Sequence, residues 1–283
     1  ITVSCFYLQV TSIVTVQYWR ACYFGLDATI LLTVTSSQIK EIKLLNLDEI
    51  KVLAWDIGGT VFDWRGTIQT ELEKIAKQQS VELDTYQFAS DWRYGMFEML
   101  AKVRNGDLPR MNADEIHRKM LDIVLETHVS ISLMASERDE LNDVWHKLKA
   151  WPDAPKAIQR LRKRYTVVPL TVMSWAIGVD CSKYNGISWD GLISCEFLRD
   201  YKPDPGSYLH AAELLQVKPS EVMMCAAHTN DLKAAKRVGF RTAFVLRESE
   251  IARDTMAMEP TEPLDFFDVT GMDFSDLTNK LLA

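Results

Sequence analysis

The sequence predicts an α/β protein, a parallel sheet with helices on both faces, interrupted after its first strand by a block of helices. Three observations carry this expectation. Val52-Leu53-Ala54-Trp55 is a short apolar run that ends in Asp56 and Gly58-Gly59, the pattern of a buried strand entering a loop. Residues 67–149 show apolar stripes at helical spacing and no convincing strand. From Trp151-Pro152 onward, helix and strand patterns alternate, as they do when crossover helices join parallel strands.

Taken in order, the elements stand behind an unusual stretch. From Ile1 to Ser37 the only charges are Arg20 and Asp27, and Val, Ile, Thr and aromatic residues dominate. Polar residues interrupt it too often for a membrane span of about twenty apolar residues, and no basic region precedes it as in a signal peptide. An added or mis-started leader is the first account of this stretch, an appended β-hairpin the second and a membrane anchor the third. In the helical block, Ile68, Leu72 and Ile75 form one stripe, and Phe88, Trp92, Met96, Leu100 and Val103 form another, stopped by Asn105-Gly106. Asn112 with Glu115, and Ser136 with Asp139, have the spacing of capping boxes that open two more helices, the second carrying Leu141, Val144, Trp145 and Leu148. Trp64 and Arg65 read as the linker into this block, and Asp63 as a capping or bracing residue.

Beyond Pro152 the expected order is helix 153–164, strand 167–173, strand 192–195, helix 207–216, strand 222–226, helix 231–238 and strand 242–246. An acidic, solvated tail around Glu259, Glu262, Asp265 and Asp268 leads to a last helix at 275–282. The expected organisation is residues 1–48 as an atypical leader, 49–66 with 150–283 as the α/β core, and 67–149 as a helical cap.

Composition narrows the function. At 283 residues with 47% hydrophobic content, the chain can bury a sizeable core. A net charge of −7 argues against nucleic acid, which needs clustered Lys and Arg, so the expected partner is a small-molecule substrate. The five cysteines form no CxxC pair, which suggests neither zinc nor a disulfide framework and fits a reducing cytoplasm.

In an open parallel sheet, ligands bind beyond the carboxyl ends of the strands. Those ends present Asp56 with Thr60, Ser174, Lys202 and Asp231. Singly, each has an ordinary reading as a helix cap, a turn residue or a solvated charge. Jointly, four motifs resemble the haloacid dehalogenase superfamily: Trp55-Asp56-Ile57-Gly58-Gly59-Thr60, Leu170-Thr171-Val172-Met173-Ser174, Tyr201-Lys202-Pro203-Asp204, and His228-Thr229-Asn230-Asp231 running toward Gly239. The resemblance spans about residues 50–280 and implies a Rossmann-like core with an inserted helical cap.

Phosphatases of that superfamily carry an acid two residues after the nucleophile, to protonate the leaving alcohol, and bind Mg²⁺. Gly58 stands at that position here, and a halide leaves without a proton. The resemblance therefore points to the 2-haloacid dehalogenase branch, supported by Arg93 in Asp91-Trp92-Arg93-Tyr94 and by Tyr208 six residues after Lys202. It implies that Asp56 displaces halide from a short 2-haloacid to form an aspartyl ester, which water then hydrolyses, without metal or cofactor. Thr60 and Ser174 would hold the nucleophile or the substrate carboxylate, and Lys202 would keep Asp56 ionised. Asp231, alone or with His228, would activate water. Arg93, Trp175, Tyr208, Ile57 and Gly58 would contact substrate or halide, and the cap helices offer a surface for a homodimer. Three departures stand out: Gly58, Trp175 and His228 occupy positions where an aromatic residue, an Asn and an Asn are common. The alternatives are an Mg²⁺-dependent phosphatase or phosphonatase-like hydrolase, and a non-catalytic relative that binds a small acid or a protein partner.

Overall fold

The structure, a computed structural model, describes residues 13–17, 31–35, 46–251 and 266–283. The chain divides into two units, residues 1–45 and 46–283. In the first, β1 (Ile13–Gln17) and β2 (Leu31–Thr35) pair antiparallel, with Ile13 opposite Thr35. This pairing is the one expected of an appended hairpin; the rest of that stretch lies outside the described residues. Among the described residues no helix is long and apolar enough to cross a membrane.

The second unit starts from β3 (Val52–Trp55), whose four residues are all buried. The chain then makes β4 (Phe62–Asp63) and four helices: α1 (Trp64–Gln79), α2 (Thr85–Arg104), α3 (Ala113–Thr127) and α4 (Ala135–Asn142). It returns through β5 (Lys149–Ala150), which pairs antiparallel with β4, Phe62 opposite Ala150 and Asp63 opposite Lys149. The helical insert thus leaves and re-enters the core across one short ribbon.

The remainder alternates: α5 (Ala154–Leu161), β6 (Thr166–Thr171), α6 (Trp175–Tyr184), β7 (Ile193–Ser194), α7 (Pro205–Leu214), β8 (Val222–Ala226), α8 (Thr229–Arg237), β9 (Arg241–Val245), α9 (Glu248–Ile251), β10 (Val269–Gly271) and α10 (Phe274–Leu281). Six strands form one parallel sheet in the order β10-β9-β8-β3-β6-β7. The chain first builds outward from β3 through β6 to β7, then crosses to lay down β8, β9 and β10 on the other side. The carboxyl end of β3 lies at that reversal, where neighbouring crossovers diverge and leave a crevice. Both faces are covered, so the central strands are apolar throughout: every residue of β8 is buried. Trp55 stacks on Phe274 of α10 with ring centroids 4.7 Å apart. In α5, Ala154, Ala157, Ile158 and Leu161 form the buried stripe of a helix that packs against α10.

Several sequence expectations need correction. Trp64 and Arg65 are no linker: they form the first turn of α1, because Asp63 accepts a hydrogen bond from Gly66 N–H and starts the helix there. Asn112 and Glu115 make the expected reciprocal box, but Ser136 does not open α4. That helix starts two residues earlier, where Glu137 accepts from the backbone N–H of Met134, and it ends before Val144 and Trp145, which fall in a 3₁₀ turn. Asp268 is not solvated tail; it accepts from Thr242 N–H and Oγ1 at 2.8 Å each and pairs with Arg241. Glu259, Glu262 and Asp265 lie outside the described residues.

Candidate active site

Asp56 is the first residue beyond β3, and its backbone N–H donates to Cys225 O at 3.0 Å, extending the β3–β8 pairing by one step. The chain then turns sharply, with Val61 and Phe62 N–H both donating to Ile57 O. This turn brings Thr60 back onto Asp56: its hydroxyl donates to Asp56 Oδ2 at 2.7 Å and accepts from Ala227 N–H at the end of β8. Gly59 holds φ of +87°, the left-handed region where a side chain is strained.

Two further side chains, Lys202 and His228, converge on the carboxylate, and Asp231 and Tyr208 stand behind the lysine. Lys202 Nζ lies 3.1 Å from Asp56 Oδ1 and 2.6 Å from Asp231 Oδ2, bridging two buried acids. Tyr208 donates to Asp231 Oδ1 at 2.6 Å. His228 Nδ1 lies 3.0 Å from Asp56 Oδ2. Burial alone would raise the pKa of Asp56, but Lys202, His228 and Thr60 overcome it and hold the carboxyl well below the usual range. Desolvation would likewise lower Lys202, yet Asp231 and Asp56 keep it cationic. His228 is pushed up to about 10, because hydrogen bonds and charge from Asp56 and a second carboxylate outweigh its desolvation. Burial and the Asp56 charge push Asp231 upward against the pull of Lys202.

The insert contributes Arg93 from α2. It is buried, and its guanidinium lies 4.5 Å from the Phe97 ring centroid, 5.5 Å from Trp64 and 5.9 Å from Trp145. Its Nη1 has no hydrogen-bond partner among the described residues. A Cβ at Gly58 would sit 3.1 Å from Arg93 Nη2 and 2.7 Å from Met173 Cε, so the absent side chain is what admits both groups.

Other expected site residues sit differently. Ser174 caps α6, accepting from Ile177 N–H at 3.1 Å and bearing on the Asp114 carboxylate of α3, not on Asp56. Trp175 is 47% exposed, and its backbone N–H donates to Glu196. Tyr208 is fully buried behind Asp231, where it supports a carboxylate. Ile57 is buried, and its carbonyl closes the turn.

Sequence reasoning missed Glu250. It follows β9, a strand end not inspected for site residues, and its buried carboxylate lies 3.2 Å from His228 Nε2 while accepting from Trp64 Nε1 at 3.2 Å. It was one of several polar residues after that strand, alongside Arg247, Glu248 and Ser249, and nothing in the pattern singled it out.

The arrangement is an ionised, buried carboxylate with both oxygens held by donors, facing a buried arginine with a free N–H. That suits attack on an electrophile carried by a small anion. Mg²⁺ wants an octahedron of oxygen ligands, and Gly58 supplies none at the second position after Asp56. An ammonium stands between Asp56 and Asp231, an imidazolium flanks Asp56, and no described cluster of three or more His, Cys, Asp or Glu is placed to hold a metal.

Comparison with known proteins places the chain among relatives of one family. Residues 50–239 match the family model of haloacid dehalogenase-like hydrolases. The crystal structure of the defluorinating L-2-haloacid dehalogenase Rha0230 superposes with a TM-score of 0.76 at 34% identity, covering 83% of this chain and 96% of that one. The L-2-haloacid dehalogenase PA0810 does so with a TM-score of 0.74 at 30% identity, covering 82% and 99%. The (S)-2-haloacid dehalogenase 4A of Burkholderia cepacia is 22% identical over 209 residues, 71% of this chain and 85% of that protein.

Proposed function

The chain belongs to the haloacid dehalogenase-like hydrolases, and within that family we propose that it hydrolyses the carbon–halogen bond of a short 2-haloalkanoic acid through an ester on Asp56. The relatives named above, dehalogenases of 2-haloacids, support the substrate class. The observation that carries the reading is Gly58. A phosphate ester needs an acid near this point to protonate its leaving alcohol, whereas the space is filled by Arg93 and Met173. A departing halide needs no proton, and a cationic N–H donor beside it lowers the barrier.

In this reading Arg93 binds the substrate carboxylate or the leaving halide, and Asp56 attacks C2 in line, expelling halide and forming the ester. Lys202 and Thr60 keep the carboxylate ionised and aimed. Water then attacks the carboxyl carbon of Asp56, Lys202 stabilises the oxyanion, and the 2-hydroxy acid leaves. Arg93 is the insert's contribution, so residues 67–149 act as a cap over the reacting carboxylate.

The test is halide release from chloroacetate, 2-chloropropionate and fluoroacetate, in parallel with p-nitrophenyl phosphate hydrolysis, each with and without EDTA. Halide release that ignores EDTA and disappears in Asp56→Asn is the expected result. Phosphate release abolished by EDTA would overturn the proposal.

A further inference from the structure

The ester reading leaves open which group takes the proton from the hydrolytic water, and two groups compete. Asp231 is the first. Both its oxygens are already committed, Oδ2 to Lys202 at 2.6 Å and Oδ1 to the Tyr208 hydroxyl at 2.6 Å, and the residue is buried. It is placed as the anchor that holds Lys202 against Asp56. His228 is the second. Its Nδ1 faces Asp56 Oδ2 at 3.0 Å, and a third of its side chain remains open to solvent, so water reaches the ring.

What decides between them is the far side of the imidazole. Nε2 meets Glu250 Oε2 at 3.2 Å, and that oxygen also accepts from Trp64 Nε1 at 3.2 Å, which fixes it from α1. The Glu250 side chain is only 7% exposed. Beyond it, the charges of Arg93 and Asp63 bear on the pair from the insert and from the ribbon. A Cβ at Gly59 would fall 2.5 Å from Glu250 Oε2 and 3.1 Å from His228 Cε1, so the bare backbone is what allows Glu250 to approach. An acceptor on Nε2–H fixes the neutral ring in the tautomer whose lone pair is on Nδ1, the nitrogen on the Asp56 side.

We propose that Glu250 is a positioning residue that makes His228 the base for hydrolysis of the Asp56 ester. The inference rests on the ester reading. In the resting enzyme His228 is an imidazolium between two carboxylates. Once the substrate carbon is bonded to an Asp56 oxygen, that charge is gone, and the ring releases its proton to solvent; this is the acid that accompanies the halide. Water then attacks the Asp56 carboxyl carbon as Nδ1 takes one of its protons. The tetrahedral adduct collapses by breaking the bond between that carbon and the alkoxide oxygen. The alkoxide takes the proton from His228, and the carboxylic acid left on Asp56 returns its own proton to the ring, restoring the starting pair.

The experiment is rapid-quench kinetics with 2-chloropropionate on the wild type, Glu250→Gln, His228→Gln and the double variant, reading halide by ion chromatography and the Asp56 adduct by intact mass. Glu250→Gln is expected to release the first equivalent of halide at close to the wild-type rate, which also shows that it is folded. Its turnover should then fall on the order of a hundredfold while one carboxyethyl group accumulates on Asp56. The double variant should be no slower than His228→Gln. Unchanged turnover in Glu250→Gln without adduct, or equal slowing of halide release and turnover, overturns the inference and leaves the ester reading standing. Halide release with no adduct in any variant removes the ester reading and this inference with it.

Discussion

Gly58 has the largest effect for the smallest group. Its hydrogen leaves room for Arg93 Nη2 and Met173 Cε, which would otherwise lie 3.1 and 2.7 Å from a Cβ. In Gly58→Asp the new carboxylate would pair with Arg93 and draw it off the substrate. Halide release should fall on the order of a hundredfold, as expected when a substrate-holding group moves by about 1 Å. No phosphatase activity should appear, because Lys202 and His228 still occupy the surroundings of Asp56. Steady-state halide and phosphate assays on one preparation check both statements. At this scale the sequence was informative where the chemistry follows from chain position. Asp56, Thr60, Lys202 and Asp231 each follow a strand or begin the next helix, so pattern alone placed them near one another. Glu250 was hidden because its contacts, with Trp64 far back in the chain and with His228 across a crossover, form only after folding. Ser174 shows the limit from the other side: its position fits a site residue, and the structure places its hydroxyl on its own helix and on Asp114, with no bond to Asp56.

Between elements, His146 is the tie that joins insert and core. It follows α4, its Nε2 lies 2.6 Å from Asp114 of α3, and its Nδ1 lies 2.8 Å from Asp180 of α6. The bond to Asp114 does most to raise its pKa, to about 9, so the ring is charged at neutral pH. A group raised on folding contributes fully below its unfolded value, near 6.5, and that contribution fades as pH climbs through about 9. His146→Leu should therefore lower Tm by roughly 2–4 °C below pH 6.5, with the gap closing above pH 9. Thermal scans of both proteins across that range test the sign; a gap that widens with pH would contradict it. The helices themselves were legible wherever a 3.6-residue stripe was long. Their ends were not, since Met134 carries no side-chain signal for a helix start and β4 and β5 are two residues each.

For the molecule as a whole, the parallel sheet was readable from the alternation of elements, because strands buried on both faces must be apolar along their length. Its last strand was harder: β10 has three residues, too few for a periodicity to declare itself. Arg247 shows how the assembled parts depend on one another. It sits just beyond β9, makes a two-point contact with Asp153 at 3.0 and 2.9 Å, donates to Thr60 O at 3.1 Å, and lies over the Phe274 ring at 4.5 Å. Arg247→Ala should cost about 3 kcal/mol, seen as a lower urea midpoint with unchanged slope. Arg247→Lys should recover only part, because an ammonium cannot reproduce the forked contact. The ribbon of β4 and β5 has a different consequence. Since the insert departs at Asp63 and comes back at its partner Lys149, whatever is threaded between them can be lengthened, trimmed or exchanged while β3 keeps its register with β6 and β8. The insert can thus vary without disturbing the strand that presents Asp56, but in the proposed reaction any replacement would have to supply its own cation where Arg93 now stands.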